Sequence, residues 1–281
     1  MEDPVSITLY PEQQNPCALN PSFASFNCKE APRKNPFPEV RDLKAVLFDV
    51  DGTLCDSDAL HYISFRDTLQ EMGFQGGVPI TEEFFMKNIS GKTNYHIGLT
   101  LFPDWEQERR DKFIADKEVR FFSILPQLLK PVNGLYALCN WVKKQGLRRA
   151  AVTNSPRANA ELMISLIGLS DFFDEIIIGD ECERPKPFPD PYQRALKHFG
   201  IEPHQAFVLE DSPTGIRAAV SAGISTVGVA TRNAEQTLNQ AGATIVVKDF
   251  HDAKLWRALD TNRDKYSNAT KQDFQAAYEV N

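Results

Sequence analysis

The stretch Lys44-Ala45-Val46-Leu47-Phe48-Asp49-Val50-Asp51-Gly52-Thr53-Leu54 decides how the rest of the chain is read. A short apolar run that ends in a carboxylate and a glycine turn has the pattern of a parallel strand buried on both faces. At the carboxyl end of such a strand the chain opens on the crevice where open parallel sheets bind ligands. Two carboxylates, Asp49 and Asp51, stand there. A buried carboxylate without a partner is costly, so the pair asks for a metal ion. The structural alternative is an Asp-Gly turn that only caps a helix.

Working outward, the pattern after residue 131 alternates. Helical spacing over 132–145, with Gly146 as a left-handed stop, is followed by a strand at 149–153. Helices at 159–166, 191–199 and 215–222 then alternate with strands at 175–178, 206–210 and 226–229, and a weaker helix-strand pair covers 234–247. Strands alternating with helices predict an α/β fold, a doubly wound, Rossmann-like parallel sheet. Residues 57–73 carry Leu60, Ile63, Leu69 and Met72 near helical spacing, with Ser57 placed to cap. From 81 to 126 the pattern stays helical, with Phe84, Phe85, Ile97, Leu101, Phe113, Val119 and Phe122 on inner faces and Pro126 and Pro131 as stops. This block interrupts the alternation after the first strand. Residues 59–128 therefore read as an inserted all-helical cap domain, and 43–58 with 129–260 as the core domain. Residues 1–42, rich in Pro, Asn and Ser, read as a disordered tail, and 261–281 as a C-terminal tail. Asp260-Thr261-Asn262-Arg263-Asp264 opens like a calcium loop, but Lys265 and Lys271 stand where that loop needs Gly and Glu, and a solvated terminal helix is expected.

Composition narrows the function. A chain of 281 residues, 42% hydrophobic and 25% charged, buries a full core without disulfides. A net charge of −7 argues against nucleic acid or an anionic membrane as the main partner, while a local cationic pocket can still hold an anionic small molecule. The five cysteines are scattered, with no CxxC pair, as expected of free thiols in a reducing compartment. No apolar run approaches the roughly 20 residues of a membrane span. Met1-Glu2-Asp3-Pro4 lacks the basic and apolar regions of a secretory signal. A cytoplasmic monomer is the expectation.

Three further motifs lie at or beyond the carboxyl ends of predicted strands. Thr153-Asn154-Ser155 offers a hydroxyl and an amide to phosphate oxygens, or a helix cap. Arg184-Pro185-Lys186-Pro187-Phe188-Pro189-Asp190 holds one lysine in an extended, proline-bound loop, where its ammonium either neutralises phosphate or is simply solvated. Glu210-Asp211-Ser212 ends another apolar strand, where its acids share a hard cation with Asp49 or cap the next helix. Four unrelated structural coincidences in the order carboxylate pair, hydroxyl, lysine, carboxylate pair are much less expected than one shared site.

At these residues the sequence resembles the haloacid-dehalogenase-like hydrolases, whose motifs match Asp49-x-Asp51-x-Thr53, Thr153, Lys186 and Glu210-Asp211 over about residues 44 to 260. The helical insert resembles that family's C1-type cap. Ile89-Ser90-Gly91-Lys92-Thr93 and Glu161-Leu162-Met163-Ile164-Ser165 resemble the β-phosphoglucomutase-like members, and among them the plant broad-range sugar phosphatases. The resemblance implies Asp49 as nucleophile and Asp51 as acid and base. It implies Mg²⁺ held by the Asp49 carboxylate, the Asp51 carbonyl and Asp211, with Glu210 helping directly or through water. It implies Thr153, Asn154 and Lys186 as the grip on the phosphoryl group. Dehalogenases of the family lack an acid like Asp51, and its phosphonatases replace it with a small residue. Asp51 therefore favours phosphate esters.

In similar mutases a histidine placed like His61 contacts the acid-base aspartate; the plain alternative is a partly buried structural histidine. Lys92 lies where the family places specificity contacts and is otherwise a surface lysine. Gly91-Lys92-Thr93 is no P-loop, lacking the glycine five residues upstream of Gly91. The implied activity is a Mg²⁺-dependent phosphatase acting on a small sugar or polyol phosphate through an aspartyl-phosphate. The alternatives are a sugar phosphomutase using the same two aspartates and a non-catalytic binding protein. The intact set Asp49, Asp51, Lys186 and Asp211 speaks against the latter.

Overall fold

The computed structural model describes residues 37–259. Expectations for the rest of the two tails, including the calcium-like loop, lie outside the described residues. Six parallel strands, β1 (Ala45–Phe48), β2 (Arg148–Thr153), β3 (Glu175–Ile178), β4 (Ala206–Glu210), β5 (Ser225–Val229) and β6 (Ile245–Val247), form one sheet in the order β3-β2-β1-β4-β5-β6. β1 is central, with Phe48 in register with Ala151 on one side and Leu209 on the other. The chain winds outward from β1 to β3, then crosses back to β4. The crevice between the two windings opens at the carboxyl ends of β1, β2 and β4, the place such sheets offer a ligand.

Alternation of side chains about the strand decides which layer each residue joins. Val46 and Phe48 pack with α5 (Leu135–Lys144), α6 (Arg157–Leu166) and α10 (Ala253–Ala258). Ala45 and Leu47 face α7 (Asp190–Phe199) and α8 (Pro213–Ser221). Helix α9 (Glu235–Ala241) covers the β5–β6 edge through Leu238 and Ala241. All four β1 residues are fully buried, as a strand with helices on both faces requires.

Between β1 and α5 the chain forms α1 (Asp58–Glu71), α2 (Glu82–Asn88), α3 (Asn94–Leu101) and α4 (Gln107–Leu128). Phe65, Leu69, Ile80, Phe85, Ile89, Ile97, Phe102 and Phe113 close a core of their own, separate from the layers on the sheet. The two linkers that join this helical unit to the sheet run side by side. Asp56 N–H donates to Lys130 O at 2.9 Å and Val132 N–H to Leu54 O at 3.0 Å. We propose that the helical unit moves as a cap about these paired linkers.

Three local expectations are corrected. Pro126 does not end α4, which continues to Leu128; in the last turn it removes one ladder bond, while Leu129 N–H still reaches Leu125 O at 3.0 Å. Ser57 precedes α1 but makes no side-chain cap; its hydroxyl donates to Asp51 Oδ1 at 2.7 Å, where a buried carboxylate is the stronger acceptor. Residues 37–42, assigned by composition to the tail, include a 3-10 turn at Val40–Asp42, and the Phe37 ring lies 5.2 Å from that of Phe207. An apolar ring beside an open core edge is better buried than solvated.

Candidate active site

Asp49 continues β1 beyond its last paired residue, its N–H donating to Leu209 O at 2.9 Å. Gly52 then turns with φ +76°, and a Cβ there would lie 2.3 Å from Asp211 Oδ2. The glycine thus supplies the left-handed turn and the room in which the β1 and β4 acids meet. Ligand oxygens of Asp49, Glu210 and Asp211 lie within 4.8 Å of one another, all three residues buried. Burial, reinforced by nearby acids, pushes the Asp49 and Asp211 carboxyls well above the usual range. Hard oxygen donors that repel each other in a dry pocket suit a small divalent cation.

Lys186 sits at the centre of the cluster. Its Nζ donates to Asp49 Oδ1, Glu210 Oε1 and Val152 O, each at 2.7 Å, which uses all three of its protons. Burial disfavours the ammonium, but Asp49 and Glu210 outweigh that and hold its pKa well above the ordinary lysine value. Glu210 Oε1 also accepts from Tyr192 Oη at 3.1 Å, and Oε2 from the Ser212 N–H at 3.0 Å and hydroxyl at 2.9 Å. Glu210 Oε1 is thus the counter-charge of Lys186, while Oε2 is held by Ser212.

Asp51 lies across the cleft. Oδ1 takes Ser57 Oγ at 2.7 Å and His61 Nε2 at 2.9 Å, and Oδ2 takes Ser155 Oγ at 2.6 Å. Burial raises this carboxyl, yet His61 and the two serines together hold it below the usual carboxylate range. The His61 ring stacks on Phe121, centroids 4.0 Å apart, and Nδ1 faces Lys117 Nζ at 3.1 Å. An ammonium only donates, so His61 accepts at Nδ1 and donates to Asp51 from Nε2. Burial lowers the Lys117 pKa, and Glu118 Oε1, 3.1 Å away, opposes this. Asp58, near Asp51 and Arg232, is raised by burial to about 6.

Of the residues singled out in the sequence, Asp49, Asp51, Thr153, Asn154, Lys186, Asp211, His61 and Lys92 line one cleft. Thr153 Oγ1 lies 3.4 Å from Asp51 Oδ2. The Asn154 amide is engaged elsewhere: Nδ2 donates to Gly91 O at 3.1 Å and Lys186 O at 3.0 Å, and Oδ1 accepts from Lys186 N–H at 3.1 Å. It pins the Lys186 backbone and the cap loop, which leaves its side chain no free donor for a phosphoryl oxygen. Lys92 Nζ donates to Asn88 O at 2.8 Å, away from the carboxylates.

Ser57, Ser155, Lys117, Glu118 and Tyr192 were not read from the sequence as site residues. A signal existed for Lys117: with Phe113, Phe121 and Leu125 it keeps the i, i+4 rhythm of the buried face of α4. A lysine on such a face needs a reason.

Gly215, in the first turn of α8, approaches Glu210 so closely that a Cβ would lie 1.5 Å from Oε1. Gly215→Ala is expected to displace the Glu210 carboxylate and destabilise the chain by about 1–3 kcal/mol or more. A thermal melt within one degree of the parent would contradict this.

The fold, the inserted helical unit and the acidic cleft around one lysine define a class of capped α/β hydrolases. The chain belongs to the haloacid dehalogenase-like hydrolase family, whose description matches residues 46–229. It is 30% identical over 213 residues to a phosphorylated carbohydrates phosphatase of Thermotoga maritima, covering 73% of this chain and 94% of that one. It is 28% identical over 186 residues to the fructose-1-phosphate phosphatase YqaB of Escherichia coli, covering 66% and 95%. The crystal structure of CbbY from Rhodobacter sphaeroides in complex with phosphate superposes with a TM-score of 0.67 at 27% identity, over 78% of this chain and 99% of that one.

Proposed function

We propose that this chain is a Mg²⁺-dependent phosphoric monoester hydrolase that dephosphorylates small sugar or polyol phosphates through an aspartyl-phosphate on Asp49. The observation that carries the reading is the division of labour between Asp49 and Asp51, two residues apart. One carboxylate is clamped through Oδ1 by a buried lysine, and the other is oriented by a histidine and two serines. The relatives' printed substrates, phosphorylated carbohydrates and fructose 1-phosphate, support the substrate class.

Lys186 holds Asp49 Oδ1 and leaves Oδ2 to attack phosphorus. Asp51 gives its proton to the leaving oxygen and later takes one from the hydrolytic water. A dianionic phosphoryl group beside Asp51 raises its proton affinity, which opposes the lowering by His61 and the serines. Asp49 and Asp211, with the Asp51 carbonyl, are the residues that would hold Mg²⁺. When bound, the ion neutralises charge on the transferring oxygens. The closed cap keeps water from the cleft until the leaving group has departed. Among the described residues no helix is long and apolar enough to cross a membrane. Buried free thiols at Cys55 and Cys139 agree with the reducing cytoplasm we assign, and a monomer contains every residue used above.

Phosphate release from a panel of sugar phosphates tests the reading. Release is expected with Mg²⁺ and should fall by two orders of magnitude or more with EDTA, the scale of a lost electrostatic stabiliser. Undiminished release in EDTA would remove the metal from the mechanism. The His61–Asp51 contact also suits a mutase, as the likeness to β-phosphoglucomutases implies. Isomerised sugar phosphate exceeding free phosphate would favour that alternative.

A further inference from the structure

One side chain of the core helix α6 reaches into the cap where the acid is oriented. Asn159, 1% exposed, donates from Nδ2 to Glu118 Oε2 at 2.9 Å. The other Glu118 oxygen takes Asn94 Nδ2 at 2.9 Å and Lys117 Nζ at 3.1 Å. Lys117 in turn faces His61 Nδ1 at 3.1 Å, and His61 Nε2 faces Asp51 Oδ1 at 2.9 Å. Asn94, Lys117, Glu118 and His61 all belong to the helical unit, whereas Asn159 belongs to the sheet-bound core. Within this chain of contacts two bonds cross between the units, Asn159–Glu118 at one end and His61–Asp51 at the other.

We propose that Asn159 is a positioning residue that senses cap closure and, through Glu118, Lys117 and His61, orients Asp51 to protonate the leaving oxygen. The inference rests on the phosphatase reading above. Separated from Asn159, Glu118 keeps Asn94 and Lys117 as partners but loses the bond that fixes its carboxylate against the core. Lys117 is 1% exposed and lies over the Phe65 and Phe121 rings, so its ammonium depends on Glu118 for direction as well as for charge. Closure thereby sets the His61 tautomer that donates to Asp51. In the step concerned, the bond from Asp49 to phosphorus forms as the ester P–O bond breaks. The Asp51 O–H proton passes to the departing oxygen, leaving a free alcohol and the Asp51 carboxylate.

An acid is needed only when the leaving group is a poor one, and this separates positioning from folding. For Asn159→Ala, kcat/KM on fructose 1-phosphate and glycerol 3-phosphate is expected to fall about tenfold or more, the scale of one hydrogen bond to a charged group. On 4-nitrophenyl phosphate, whose leaving group departs without a proton, it should change less than twofold. Asn159→Gln keeps the amide and leaves Glu118 to Lys117, and is expected to lose less than Asn159→Ala. Asn159→Asp sets two carboxylates together and should be worse than Asn159→Ala. Equal losses on all three esters, no loss on any, or an Asn159→Gln variant no better than Asn159→Ala would overturn the proposal. A parent enzyme that releases phosphate from none of them would instead sink the phosphatase reading, a result visible before any variant is made.

Discussion

Asp49→Asn is expected to lower turnover by four orders of magnitude or more while leaving a folded protein that still binds its substrate. The size follows from the removal of a nucleophile that works as a unit with its neighbours. An amide cannot form the phosphorylated intermediate. The fold survives because Lys186 keeps Glu210 and Val152 O as partners, and because a neutral Asn removes the repulsion that pushes the Asp49 carboxyl upward. Phosphate release, acid-quench trapping of labelled phosphate on the chain, and a thermal melt together check it. A drop of less than a hundredfold, or label trapped on the variant, would assign the chemistry to another residue.

Lys186→Met should damage both activity and stability. The ammonium is the shared counter-charge of Asp49 and Glu210, all three residues being buried. Removing one partner of a buried charge network costs roughly 3–5 kcal/mol, because the charges left behind are uncompensated. Activity should fall by about two to three orders of magnitude, since Asp49 loses its fixed orientation and the phosphoryl group loses a cation. The pH dependence has a definite sign. Without the lysine, the Asp49 carboxyl rises further above its unfolded value, so the folded variant holds more protons than the unfolded chain. Its stability then falls as pH rises through the carboxylate range and beyond. The gap in melting temperature between parent and variant should be wider at pH 8 than at pH 5. Adding Glu210→Gln should restore part of the stability and none of the activity. A variant as stable as the parent at pH 8 would show that the three groups are not interdependent.

The sheet was legible because its strands are short apolar runs that end in polar motifs. The strand limits at 175–178 and 206–210 coincide with β3 and β4, and the central run ending at Asp49 is β1. The carboxylates and the lysine were legible because chemistry concentrates at strand ends, whereas His61, inside α1, was reached only through the resemblance to mutases, with a structural histidine as the alternative. The bonds of the Asn154 amide were not legible because an amide both donates and accepts, and only the folded chain reveals that Gly91 O and the Lys186 backbone claim it. Ser57 was misread because a hydroxyl before a helix usually caps it, whereas here a carboxylate six residues upstream competes for it. Lys117 and Glu118 escaped notice inside a helix dense in charged residues. Their significance depends on α4 lying against α1, a tertiary fact that no local pattern states.

The paired linkers at Leu54–Asp56 and Lys130–Val132 carry a mechanical consequence. Two strands stitched side by side resist twisting and sideways shear far better than a single tether. The cap motion proposed above would then be a swing about the line of the stitching. Asp51 stands just ahead of that line in the chain, so such a swing would be geared to the aim of the acid.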